Sequence, residues 1–176
     1  LRDAFDRLNA RVSVGIGGAA IDVRRPQLAD TLRLVAEVLR QPAFPEAEFE
    51  ELRRAALTSA EAQRGDPGAI AGERLARHLS PYPRGDWNYV ESIDERIAGM
   101  KSATLADARR CYSELVGGTG AQFAVVGDFD PEALIGLLEE LFGGWKNPAP
   151  YARIPSRYFD VPPIEQTAAT PDKANA

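Results

Sequence analysis

Between Leu28 and Leu39 the apolar residues Leu28, Leu32, Val35 and Leu39 recur at the three-and-four spacing of one helical face. Gln41-Pro42 closes the pattern, which predicts a helix over 26–40. A second helix is predicted from Pro45, whose missing N–H costs nothing in a first turn. Glu46, Glu48 and Glu50 sit near the positive end of its dipole. Phe49, Leu52, Ala56 and Ala60 give it a narrow apolar stripe, and it runs to Gln63 before Gly65-Asp66-Pro67 stops it. This long helix is the element on which the functional reading turns.

Elsewhere the period changes. Val12, Val14 and Ile16 alternate with smaller residues, Gly17-Gly18 interrupts, and Ala19, Ile21 and Val23 alternate again, the pattern of an antiparallel hairpin. Leu1, Phe5 and Leu8 place the end of a helix before it. Gly68 to Leu79 reads as a short helix with Ile70, Leu75 and Leu79 inward, and Ser80 to Asp86 as a loop. Ser92-Ile93-Asp94-Glu95 has the form of a capping box opening a helix to about Gly99. Thr104 opens another, with Leu105, Ala108, Tyr112 and Leu115 on one face. Gln122 to Val126 is β-rich and bounded by glycines, which predicts a buried strand. Asp130-Pro131 then caps a helix whose stripe is Leu134, Leu138, Leu141 and Phe142. The expected fold is α+β: a two-layer sandwich of a mostly antiparallel sheet with helices packed on one face, spanning 1–146 as a single domain. Six prolines from Pro148 to Pro171 make 147–176 a Pro-rich connector toward a following domain.

A chain of 176 residues can bury one real core. Its net charge of −5 argues against nucleic acid or an anionic membrane as a partner, and no apolar run is long enough to span a bilayer. Cys111 is the single cysteine, so the fold does not rest on an internal disulfide. The chain begins at Leu1 and its one methionine is Met100, which suggests an excised piece of a longer protein whose leader or upstream motifs would precede Leu1.

No catalytic constellation is complete. His78 is the single histidine, and a lone histidine beside Leu75 and Leu79 reads as a packed or surface residue. No paired-histidine spacing exists, so a zinc site made wholly within the chain is not expected. Cys111 follows Arg109-Arg110 and reads as a half-buried thiol. Ser13, Ser59, Ser80 and Ser92 lack the context of a nucleophile elbow. The acidic run Glu46 to Glu51 reads as a solvated helix face, and Gly15-Ile16-Gly17-Gly18 as a turn, since it lacks the Lys and helix start of a phosphate loop. Trp87-Asn88-Tyr89 reads as an aromatic loop, packed against helices in preference to standing exposed for binding.

The order of motifs adds to this. Leu32-Arg33-Leu34-Val35-Ala36-Glu37-Val38-Leu39, Pro42-Ala43-Phe44, Phe49-Glu50 with Arg53-Arg54, and Pro81-Tyr82-Pro83-Arg84-Gly85 come first. The Ser92-Ile93 and Thr104-Leu105 helix starts, Ala124-Val125-Val126-Gly127-Asp128-Phe129-Asp130, and Leu141-Phe142-Gly143-Gly144-Trp145 follow. In this order, from about Arg7 to about Pro150, they resemble the pitrilysin/insulinase zinc peptidases (the inverzincins), which include the mitochondrial processing peptidases. The resemblance implies paired halves closing like a clamshell around a substrate chamber. The catalytic half carries His-x-x-Glu-His, and a third zinc ligand, a Glu, lies on the long helix. Counting back from Asp66-Pro67 against the family's pattern puts that ligand at Ser59, among Leu57-Thr58-Ser59-Ala60. Glu61 lies two positions on, roughly 200° round the helix. Leu1 to Asn9 carries none of the ligands.

The chain therefore resembles the non-catalytic half, with no catalytic residue, no metal ligand, and Ser59 as the degenerate third-ligand position. The implied role is to wall one side of the chamber and contact peptide substrate. Zinc would be held by the catalytic half, on the same chain or in a heterodimer. Two alternatives stay open: a catalytic half whose histidines lie upstream of Leu1, with Glu61 as a displaced ligand, or a non-enzymatic assembly or binding module. The resemblance suggests a bacterial periplasm for the parent protein, with the cytoplasm compatible.

Overall fold

The computed structural model describes residues 1–150, 152–168 and 170. In chain order they form α1 (Arg2–Arg7), β1 (Arg11–Gly15), β2 (Gly18–Asp22), α2 (Leu28–Arg40), α3 (Glu46–Gln63), α4 (Pro67–Leu79), α5 (Ile93–Ser102), α6 (Leu105–Leu115) and α7 (Pro131–Phe142). The chain divides into two units. One is Leu1–Phe44 with Arg109–Tyr151, the other Pro45–Ala108 with Ala152–Ala176.

In the first unit β1 and β2 pair antiparallel from Arg11↔Asp22 to Gly15↔Gly18 around the two-residue turn Ile16-Gly17. Gly18 takes φ 141°, a conformation that only glycine adopts without strain. One face of the hairpin presents Val12, Val14 and Ile21 to a core of Phe5, Val35 and Leu39, which Phe142 and Trp145 also cover. The predicted stripe of α2 is thus the buried one. Asp130 caps α7 by accepting from the N–H groups of Glu132 and Ala133. The Tyr112 hydroxyl donates to the Leu39 carbonyl at 2.6 Å, meeting one of the carbonyls that the end of α2 leaves free, and its ring packs edge-on to Phe44 at 5.5 Å. Asn147 accepts from the Thr119 N–H and donates to the Leu115 carbonyl. A Cβ at Gly117 would stand 2.6 Å from the Asn147 nitrogen, so this clamp needs glycine there.

In the second unit α3 packs on α5 through Ala60, Ile93 and Ile97, with Leu57, Ala69, Ile70 and Met100 around them. The expected capping box opens α5, and Asp66 caps α4 by accepting from Ala69 N–H at 2.7 Å. Residues 155–167 form a strap that meets Arg74 and His78 of α4, and Tyr82 and Asn88 in the loop after it, through hydrogen bonds.

The expected sheet is not formed. Among the described residues the hairpin is the one sheet, and the fold is mostly helical, seven α-helices with two strands, so α+β describes it only loosely. Residues 122–126 take no regular secondary structure, with Val126 100% exposed. A β-rich composition specifies an extended backbone, while a strand also needs an edge to receive its N–H and C=O groups.

Two helical stripes are narrower than predicted. Leu52 on α3 is 71% exposed, and Leu75 and Leu79 on α4 are about half exposed, because the helices packed on them cover only part of each apolar stripe. Cys111 is exposed where a half-buried thiol was expected. Of the Pro-rich stretch 147–176, residues 151, 169 and 171–176 lie outside the described residues.

Thr31 on α2 is fully buried and its hydroxyl has no hydrogen-bond partner. Val has the same shape without the polar atom, so Thr31→Val should stabilise the protein by about 1 kcal/mol in urea unfolding. Thr31→Ala, which also opens a cavity, should be less stable than Thr31→Val.

Candidate functional site

Ser59 stands on the exposed side of α3, one position before buried Ala60. Glu61, the nearest carboxylate along the chain, faces elsewhere: its Oε2 pairs with Arg64 at 2.8 Å and its Oε1 with Lys101 at 3.1 Å. The structure therefore separates the two positions, as the helical angle between them requires.

Zinc asks for three or four N, S or O donors converging on one point. Ser59 offers a neutral hydroxyl, the His78 ring nitrogen is engaged by the Pro162 carbonyl at 2.7 Å, and Cys111 stands exposed on α6. Among the described residues no group of three His, Cys, Asp or Glu side chains could hold a metal ion. These residues do not fit zinc.

The best-organised polar cluster lies at the start of α5. Glu95 Oε2 accepts from the Ser92 N–H at 2.9 Å, and the Ser92 hydroxyl accepts from the Glu95 N–H at 3.1 Å. The Tyr89 hydroxyl lies 3.0 and 2.9 Å from the two carboxyl oxygens, and Arg77 and Arg84 pair with them at 3.3 and 3.1 Å. The Ser92 N–H, then the Tyr89 hydroxyl, the Ser92 hydroxyl and the charge of Arg84 hold the Glu95 carboxyl down at about 2 against partial burial. Its local role as a helix cap was readable from Ser92-x-x-Glu95. The three further partners were not, since they come from α4 and a loop whose approach no short-range pattern specifies.

This anchor sets out the residues around a shallow concavity of about 640 Å³ lined by Arg84, Trp87, Tyr89, Val90, Glu91 and Arg96. Asp86 shapes its rim by accepting from the N–H and side-chain amide of Asn88, and Arg96 is held by Gln63 at 3.1 Å. Trp87 is 76% exposed, contrary to the expected packing, while Tyr89 is half-buried. An exposed tryptophan beside an exposed arginine suits contact with a polypeptide, because both side chains bring large area and directional donors to an interface.

The Glu95 carboxyl titrates near 2 in the folded chain against an ordinary 4.5, so its contribution to stability is present above about pH 4.5 and is lost as pH falls toward 2. Urea unfolding of Glu95→Gln across that range should show a deficit that is largest above pH 4.5 and fades near pH 2. A deficit that does not change with pH would contradict this.

A family model described as the peptidase M16 inactive domain matches residues 102–174. That stretch takes in the Thr104-Leu105, Ala124 to Asp130 and Leu141 to Trp145 motifs, while the earlier motifs lie outside it. A search of curated proteins gives no match. Over 102–174, less than half of its length, the chain is similar to the inactive domain of the M16 peptidases, the family to which the pitrilysin/insulinase enzymes belong.

Proposed function

We propose that this domain is the non-zinc-binding half of a zinc metalloendopeptidase, walling one side of the substrate chamber and contacting the peptide. The observation that carries the reading is α3: at the position where the resemblance puts a zinc-binding glutamate it holds exposed Ser59. The inactive-domain match downstream agrees with it. In this reading residues 1–146 act as one peptidase-like domain, and 147–176 connects it to another. The catalytic half, on the same chain or a second one, supplies zinc and the general base. The concavity carrying Arg84 and Trp87 is then a surface on which substrate could rest. The reading also includes the fuller sheet: in the assembled peptidase 122–126 pairs as a strand and completes a two-layer sandwich with helices on one face.

The competing reading, a catalytic half with Glu61 as a displaced ligand, requires that carboxylate to leave Arg64 and Lys101. Zinc titration of the purified chain followed by calorimetry separates the two. The proposed reading expects no saturable one-to-one binding at submicromolar zinc, and such binding, abolished by Glu61→Gln, would reverse it. Peptidase activity of the parent protein should fall by about tenfold or more when this half is omitted, because substrate loses its positioning. Unchanged activity would leave the domain an assembly module.

A further inference from the structure

The strap is held mainly by its backbone. Arg74 on α4 donates to the Thr167 carbonyl at 3.2 Å, and one turn on His78 meets the Pro162 carbonyl at 2.7 Å. A carbonyl only accepts, so this ring nitrogen, Nε2, carries the hydrogen. Beyond the helix the Tyr82 hydroxyl accepts from the Arg157 N–H, and Asn88 donates to the Pro155 carbonyl at 3.3 Å. Positions 74, 78, 82 and 88 thus meet 167, 162, 157 and 155, an antiparallel register without a break.

Every residue has a main-chain carbonyl, so such a row selects an extended chain more than a sequence. Two of the carbonyls belong to prolines, which bring no N–H to leave unpaired and hold the backbone extended. Phe159 adds an edge-on ring contact to Tyr82 at 4.9 Å. The fit is incomplete. A groove of about 450 Å³ remains beside Ala71, Leu75 and Ile164, and Leu75, Leu79 and Ile164 are still largely exposed. A few exposed hydrogen bonds and one ring contact hold such a segment weakly, and local opening of segments like this costs far less than global unfolding.

We propose that the α4 face bearing Arg74 and His78, continued by Tyr82 and Asn88, is a groove that binds extended, proline-containing polypeptide through its main chain, and that residues 155–167 occupy it in cis as a detachable strap. A second polypeptide of this kind gains the groove by displacing the strap. This goes beyond the peptidase reading and does not rest on it, since it needs neither zinc nor a catalytic half.

The test follows trypsin cleavage after Arg157 in the whole chain, by mass spectrometry. Cleavage there requires the strap to leave the groove. The variant carrying Arg74→Ala, His78→Ala and Asn88→Ala should be cut about tenfold faster or more, with an unchanged circular dichroism spectrum. A synthetic peptide of residues 153–168 with both arginines changed to alanine, so that trypsin leaves it intact, should also accelerate cleavage when added to the unmodified chain, and the same peptide with its prolines also changed to alanine should do so less. Rates unmoved by both the triple variant and the peptide would overturn the proposal. If the triple variant fails to fold, Tyr82→Phe decides. It keeps the ring against Phe159 and removes the acceptor, so amide exchange at Arg157 should quicken; exchange equal to that of the unmodified chain would overturn the proposal.

Discussion

The contact of Ala60 with Ile93 and Ile97 decides what the long helix can do. A methyl group at position 60 lets α5 lie close, and that closeness commits one face of α3 to packing. Ser59 is then turned outward by the helical step, and Glu61 is carried round to Lys101 on α5 and to Arg64. A carboxylate already bonded to two cations is a poor start for a metal site, because binding an ion there would first break both pairs. On the proposed reading, the helix lacks more than one side chain, because the neighbouring acid is held by two cations.

Glu95 extends the same logic into the loop beyond α4. A capping box by itself closes the two free N–H groups at a helix start. Here the same carboxylate also gathers Tyr89, Arg77 and Arg84, so one group fixes a helix end and three points along the approach to it. These side chains stand partly in water, where ion pairs contribute little individually, so the value of the arrangement lies in geometry more than in energy. It is what leaves Arg84 and Trp87 standing together at the rim of a concavity without tight packing beneath them.

How far the sequence could be read follows from the range of the interactions involved. Helices with strong periodicity or local caps, such as 28–40 with its Leu32, Val35 and Leu39 stripe, and the Ser92, Asp66 and Asp130 starts, were legible because their causes lie within a few residues. The hairpin was legible for the same reason, its glycines and alternation being local. Residues 122–126 have no strand partner among the described residues; composition shows readiness for a strand and cannot show whether an edge is available. Leu52, Leu75 and Leu79 were misread because a stripe shows which face is apolar and not how wide a partner will cover it. At the candidate site, Ser59 could be located by counting along one helix, but the Glu95 cluster and the row on α4 depend on residues brought from far along the chain.

The two stretches outside regular secondary structure, 122–126 and 155–167, show what makes such a backbone specific. The first is rich in β-forming residues, yet no strand pairs with it among the described residues, and its apolar side chains face water at Phe123 and Val126. The second is interrupted by prolines, yet four side chains hold it at residues 155, 157, 162 and 167. A sheet edge would have supplied N–H and C=O partners at every second position. Side chains supply them only where a helix and a loop happen to project them, and proline reduces the number that must be supplied. A proline-interrupted segment can therefore be held at a few positions by side chains and remains cheaper to release than a strand, because fewer bonds have to open together.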